Sequence, residues 1–144
     1  MYAEGFTLVG TLGLEAIRAQ GWTAGAVGGL TLGADPVAYA IAAASLGNPP
    51  VLNAFTVRKA PKGHGTGKRI EGCFTPGAHV IVVEDAITTG GSALDAMAAV
   101  RSEGGIVAGV LAVIDREEGG RDAIAAAGVP VHALVGASEL LRPV

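Results

Sequence analysis

Val80-Ile81-Val82-Val83-Glu84-Asp85-Ala86-Ile87-Thr88-Thr89-Gly90-Gly91-Ser92 is the stretch on which the reading of this chain turns. Four consecutive apolar residues, three of them valine, predict a strand buried on both faces, as in a parallel sheet. Two acids, Glu84 and Asp85, follow at the expected C-terminal end of that strand. From Thr88 to Ser92 the side chains are small enough for a backbone to approach an anion, and a helix is expected from about Ala93 to Ser102. The free N–H groups and the dipole at a helix start favour a phosphate. On spacing alone the run also fits a solvated strand end and an ordinary turn with Ser92 as N-cap.

The rest of the chain reads as alternating helices and strands around this unit. At 144 residues it is expected to form a single domain, residues 1–144, with a substantial core. Half the residues are hydrophobic and only 4% aromatic, with 23 glycines, which favours close helix-on-sheet packing and tight turns. A helix over about residues 4 to 19 carries Leu8, Val9, Leu12 and Ile17 on a broad stripe expected to cover the sheet. A strand over Ala24 to Gly28 then leads into a turn ending in Asp35-Pro36, read as N-cap and first residue of a helix to about Leu46. That glycine-containing turn is a second candidate anion loop, acting through its backbone, Thr31 and Asp35, or else a plain strand-to-helix connection.

After a strand over Val51 to Val57 comes Arg58-Lys59-Ala60-Pro61-Lys62-Gly63-His64-Gly65-Thr66-Gly67-Lys68-Arg69, in which six of twelve positions are basic or histidine and three are glycine. Such a segment cannot bury itself and is expected to be an exposed, flexible basic loop. A later strand, Ile106 to Ile114, ends in Asp115-Arg116-Glu117-Glu118. Ligands of open α/β sheets bind outside the strands' carboxyl ends, so Arg116 joins the candidates, with a surface salt bridge as the plain alternative. His79 and His132 and the lone Trp22 read as scaffold, and no pair of His or Cys residues has metal-ligand spacing.

The formal net charge of −3, with cations concentrated between Arg58 and Arg69, argues against a general nucleic-acid binder and for a small anionic ligand. No apolar run approaches the ~20 residues of a membrane span, and the first residues lack a secretory pattern. With the single Cys73, these features lead to an expectation of a cytoplasmic protein that meets neither membrane nor nucleic acid.

The run Val80 to Ser92 resembles the phosphoribosyl-diphosphate signature of the type I phosphoribosyltransferases, with Ala86 smaller than the aliphatic residue usual there. Arg58, Lys59, Lys62, His64 and Gly65 follow a pattern similar to the catalytic loop of orotate phosphoribosyltransferases, and Asp115-Arg116-Glu117-Glu118 resembles that family's Asp-Arg-x-Glu stretch. The resemblance covers about Glu4 to Arg142 and implies a Rossmann-like α/β core, a mostly parallel central sheet flanked by helices, without the family's N-terminal hood. It further implies transfer of a phosphoribosyl group from phosphoribosyl diphosphate to orotate, with Mg²⁺ carried by the substrate and no direct protein ligand. Glu84 and Asp85 would hold the ribose, with Asp85 also counted as catalytic; Thr88, Thr89, Gly90, Gly91 and Ser92 would hold the 5′-phosphate. Thr31 and Asp35 would serve the diphosphate, and Arg116 the pyrimidine carboxylate. Arg58, Lys59, Lys62 and His64 would neutralise the leaving group, with Lys62 and His64 reaching across a homodimer. Two alternatives stay open: an enzyme of this fold acting on another base, and a regulatory protein that binds phosphoribosyl diphosphate without turnover.

Overall fold

The computed structural model describes residues 1–61 and 67–142. The elements in chain order are α1 (Ala3–Ala19), β1 (Ala26–Leu30), α2 (Ala34–Leu46), β2 (Asn53–Val57), β3 (Ile70–Gly72), β4 (His79–Ile87), α3 (Gly91–Ser102), β5 (Ile106–Asp115), α4 (Gly120–Ala126), β6 (Val131–Gly136) and α5 (Ala137–Leu140). The six strands form one sheet in the order β3-β2-β1-β4-β5-β6. Every pairing is parallel except β2 with the short edge strand β3. The mostly parallel α/β core expected from the sequence is therefore present.

Both faces of this sheet are covered, which is why its central strand is apolar without interruption. On one face Val80 and Val82 of β4 meet Ala93, Ala96, Met97 and Val100 of α3 and Ile124 of α4. On the other, Ile81 and Val83 meet Leu14 and Ile17 of α1 with Val37, Ala38 and Ile41 of α2. Successive strand residues point to opposite faces, so one valine-rich run supplies both cores. Trp22 lies over β5, where a methyl group added at Gly109 would stand 2.5 Å from its ring.

The face that α1 buries differs from the expected stripe. Leu8 and Leu12 are 59% and 48% exposed, whereas Gly10, Gly13, Leu14 and Ile17 are buried. Small residues decide the contact: a Cβ at Gly10 would come 2.8 Å from the Ala40 carbonyl carbon, and one at Gly13 would come 2.8 Å from Ile41 Cδ1. Backbones this close bury the face that carries Gly10, Gly13, Leu14 and Ile17 and leave Leu8 and Leu12 outside.

The chain moves from β1 to β2 in one direction across the sheet and from β4 through β5 to β6 in the other. Neighbouring strands β1 and β4 thus mark a topological switch point, and a crevice opens beyond their C-terminal ends. The turns after β1, β4 and β5 all rise from this edge.

Candidate active site

β4 does not end before its acids. Pairing with β5 continues through Glu84 with Ala112, Ala86 with Ile114 and Ile87 with Asp115. Glu84 and Asp85 therefore lie within the strand, and alternation sends them to opposite sides. Glu84 is 5% exposed and lines a recess with Ala86, Thr88, Gly90, Gly91, Ser92 and Ala93. Its Oε1 has no hydrogen-bond partner among the described residues. Burial, helped by the adjacent Asp85 charge, pushes its carboxyl up to about 7. Asp85 is exposed, accepts the Ala86 N–H at 2.8 Å, and leans on the turn after β1. A methyl group at Gly33 would stand 2.9 Å from Asp85 Oδ1, so the Asp85 carboxylate packs directly on the Gly33 backbone.

The turn Thr88 to Ser92 leads into α3 two residues earlier than expected, at Gly91, and the cap is Gly90 rather than Ser92. Gly90 has φ 85°, a left-handed conformation that favours glycine. No side chain caps this helix, so the N–H groups of its first turn face outward, free for an anion. The turn is braced from behind by Gly120 at the start of α4. Gly120 N–H donates to the Thr88 carbonyl at 2.9 Å, and a Cβ on Gly120 would stand 2.6 Å from Gly90 N. The repeated Gly-Gly before α3 and before α4 is the sequence signal that could have found this brace.

After β1, Asp35 is not the helix cap. The helix starts at Ala34, its cap is Gly33, and Asp35 lies within its first turn. The Asp35 carboxylate is drawn elsewhere: Thr31 Oγ1 donates to Oδ2 at 2.7 Å and Thr56 Oγ1 donates to Oδ1 at 2.9 Å. Tyr39, one helical turn on, is 3.1 Å from the same Thr56 hydroxyl. Thr31, Asp35, Tyr39 and Thr56 thus form one network, on a cleft of about 750 Å³ that Arg58 and Lys59 also line. The Thr31–Leu32 peptide in this turn is cis. Tyr39 and Thr56 were not singled out in the sequence, although Asp35 and Tyr39 have the i, i+4 spacing of a shared helix face.

Lys62 and His64 lie outside the described residues. The ends of their segment are defined: Arg58 N–H donates to the Arg69 carbonyl at 2.8 Å. Arg69, expected among the loop's exposed cations, is turned inward against α3. Its guanidinium donates to Asp95 Oδ1 and Oδ2 at 2.8 and 2.7 Å, and its Nε donates to the Arg58 carbonyl at 2.9 Å. That hydrogen-bonded pairing holds the Asp95 carboxyl below its ordinary value and raises Arg69. Arg58 itself pairs with Glu71 at 3.1 Å.

Arg116 follows β5, two strands from β1, with its N–H donated to the Ile87 carbonyl at 2.8 Å. Its exposed guanidinium meets Glu118 at 3.1 Å. The structure therefore gathers Thr31, Asp35, Glu84, Asp85, Thr88 to Ser92 and Arg116 on turns at one sheet edge, with Arg58 and Lys59 at the cleft beside the first turn. Among the described residues no group of three or more His, Cys, Asp or Glu side chains could hold a metal ion.

The chain is 51% identical over 138 residues to the orotate phosphoribosyltransferase of Aquifex aeolicus (strain VF5), covering 96% of this chain and 74% of that protein. It belongs to the orotate phosphoribosyltransferase family. Among solved structures, the orotate phosphoribosyltransferase of Mycobacterium tuberculosis H37Rv in complex with Fe(III) dicitrate superposes with a TM-score of 0.89 at 44% identity, over 99% of this chain and 78% of that one. The same enzyme in complex with 5-phospho-α-D-ribosyl 1-diphosphate gives 0.86 at 42% identity, over 96% and 77%. No protein-family model matches the chain. The chain has the type I phosphoribosyltransferase fold, with the strand-to-helix turns just described at the C-terminal edge of its parallel strands.

Proposed function

We propose that this chain transfers the phosphoribosyl group of phosphoribosyl diphosphate to orotate, giving orotidine 5′-monophosphate and diphosphate, a step of pyrimidine synthesis. The anomeric bond to diphosphate breaks, a bond to the pyrimidine ring nitrogen forms, and that nitrogen's proton is released. Positive charge builds on the sugar while negative charge leaves, so electrostatic preorganisation carries the rate.

One observation supports this reading above the others. Glu84 Oε1 is a buried acceptor without a partner among the described residues, directly under a turn whose helix start has no side-chain cap. A buried acceptor left unmade is costly, and a ribose hydroxyl donor arriving with its 5′-phosphate in the turn would satisfy it. Asp85, exposed on the opposite side of the strand, would orient the ribose toward the turn after β1, where Thr31 and the network around Asp35 would receive the diphosphate. Arg58, Lys59, Lys62 and His64 would neutralise that leaving group, the last two from the partner subunit of a homodimer. Arg116 suits a carboxylate on the base, since a planar guanidinium binds one with two parallel hydrogen bonds.

Mg²⁺ fits as a group the substrate brings. It keeps several waters and is commonly held through substrate phosphates rather than by an all-protein cage. When bound it would spread the charge developing on diphosphate. No helix among the described residues is long and apolar enough to cross a membrane; the reaction is proposed to run in the cytoplasm.

Incubation with phosphoribosyl diphosphate, orotate and Mg²⁺ is expected to release diphosphate in step with orotidine 5′-monophosphate. Binding of phosphoribosyl diphosphate by calorimetry without any release would overturn the enzyme reading in favour of a regulatory one. Lys62→Ala should lower kcat about a hundredfold, the loss typical of one preorganised transition-state donor. Mixing Lys62→Ala with Asp85→Asn subunits should restore activity in the mixed dimers if Lys62 acts across the interface; no recovery would place it in its own subunit's site.

A further inference from the structure

Glu117 is the one non-glycine residue with positive φ among those described, at 60°. That conformation is uncommon for a side chain of this size, and glycine would adopt it more readily. What glycine could not supply is the carboxylate. Glu117 Oε1 accepts the Ser138 hydroxyl at 2.7 Å and its Oε2 accepts the Ser138 N–H at 3.2 Å, tying the turn after β5 to α5. Room for this comes from Gly136, where a Cβ would stand 2.7 Å from Glu117 Oε1. On the other side, Asp115 is 7% exposed and its Oδ1 accepts the Glu117 N–H at 2.8 Å.

Arg116 lies between these two anchored acids, and its own N–H is held by the Ile87 carbonyl. Three carboxylates surround it, yet only Glu118, at 3.1 Å, pairs with its guanidinium. Asp115 and Glu117 are occupied with backbone and hydroxyl donors instead. The backbone of Arg116 is thus fixed on both sides while its head keeps a single exposed and exchangeable partner, which an incoming carboxylate can displace.

We infer that Glu117, clamped by Ser138, is a positioning residue that aims Arg116 at the carboxylate of the base and so sets preference for carboxylated pyrimidines. The inference rests on the reading of Arg116 given under the proposed function. Its test compares two ligands by calorimetry: orotidine 5′-monophosphate and uridine 5′-monophosphate, which lacks only the carboxylate. Glu117→Gly keeps the backbone conformation and removes the clamp. It is expected to weaken orotidine 5′-monophosphate by about tenfold, the scale of one hydrogen bond to a charged group, while leaving uridine 5′-monophosphate unchanged. Ser138→Ala should do the same and Ser138→Thr should restore the preference. Equal weakening of both ligands would mean a structural role only and would overturn the inference, as would an unchanged preference in both Glu117→Gly and Ser138→Ala. Arg116→Ala separates the two levels. Loss of preference there but not in the clamp variants defeats the inference alone, whereas a preference that survives Arg116→Ala defeats the base-site reading with it.

Discussion

Gly90 after β4 and Gly119 after β5 have nearly the same backbone, with φ 85° and 88°, and each caps a helix that begins with a second glycine. Their surroundings differ. Around Gly90 the chain is closed in by the backbone of Gly120, whereas a Cβ on Gly119 would have nothing within 4 Å. The acids behind the two turns differ in the same sense. Asp115 accepts the N–H of its own turn, while Glu84 keeps a buried oxygen without a partner among the described residues. One turn carries an acceptor awaiting a donor; in the other the acid accepts the Glu117 N–H of its own turn, and the exposed side chain of Arg116 is presented. Equal local conformation therefore serves two tasks, and packing decides which.

Exchanging alanine for each capping glycine sharpens that contrast most. Gly90→Ala meets both the left-handed penalty and overpacking against Gly120, so a loss of about 3–4 kcal/mol by urea denaturation is expected. Gly119→Ala meets the conformational penalty alone, about 1 kcal/mol. Equal losses would break the comparison.

The unsatisfied acid comes next. Glu84 is raised from 4.5 to about 7 in the folded chain, so between those values the native state holds a proton that the unfolded state has released. Stability contributed by this group should fall as pH rises through that window, by up to roughly 3 kcal/mol, and level off above it. Glu84→Gln should remove that slope when wild type and variant are unfolded at pH 5 and pH 8. A slope unchanged in the variant would show that Glu84 is not its source.

The smallest effect belongs to the far side of the comparison. Arg116 and Glu118 are exposed, and Glu118→Ala should change stability by less than ~0.5 kcal/mol in the same assay. It should also free the guanidinium and tighten orotidine 5′-monophosphate; weaker binding would contradict an exchangeable partner.

Much of this arrangement was legible in the sequence where the signal is local. The run Val80 to Val83 and the alternation of strands and helices lie where periodicity placed them. The failures come from contacts between distant residues. Hydropathy ends at Glu84, but strand pairing with β5 carries β4 on to Ile87. Asp35 has the residue type and the following proline of a cap, yet the Thr56 hydroxyl, 21 residues away, claims its carboxylate. Arg69 reads as one more loop cation until Asp95, 26 residues on, takes both ends of its guanidinium. The glycines of α1 outweigh its leucines because closeness of approach, not hydrophobicity alone, settles which face is buried.

The join between Arg58 and Arg69 separates two kinds of selection. The ends of the basic segment are fastened to each other and to α3, so the core fixes where the chain leaves the sheet and where it returns. Doubling the length of such a loop costs only about 0.6 kcal/mol in closure entropy. Changes in the number of residues there would cost folding little, whereas under the role proposed for Lys62 and His64 they would alter turnover. Under the proposed function the segment would vary between descendants of this chain at the pace set by leaving-group chemistry, while the sheet beneath it is held constant by packing.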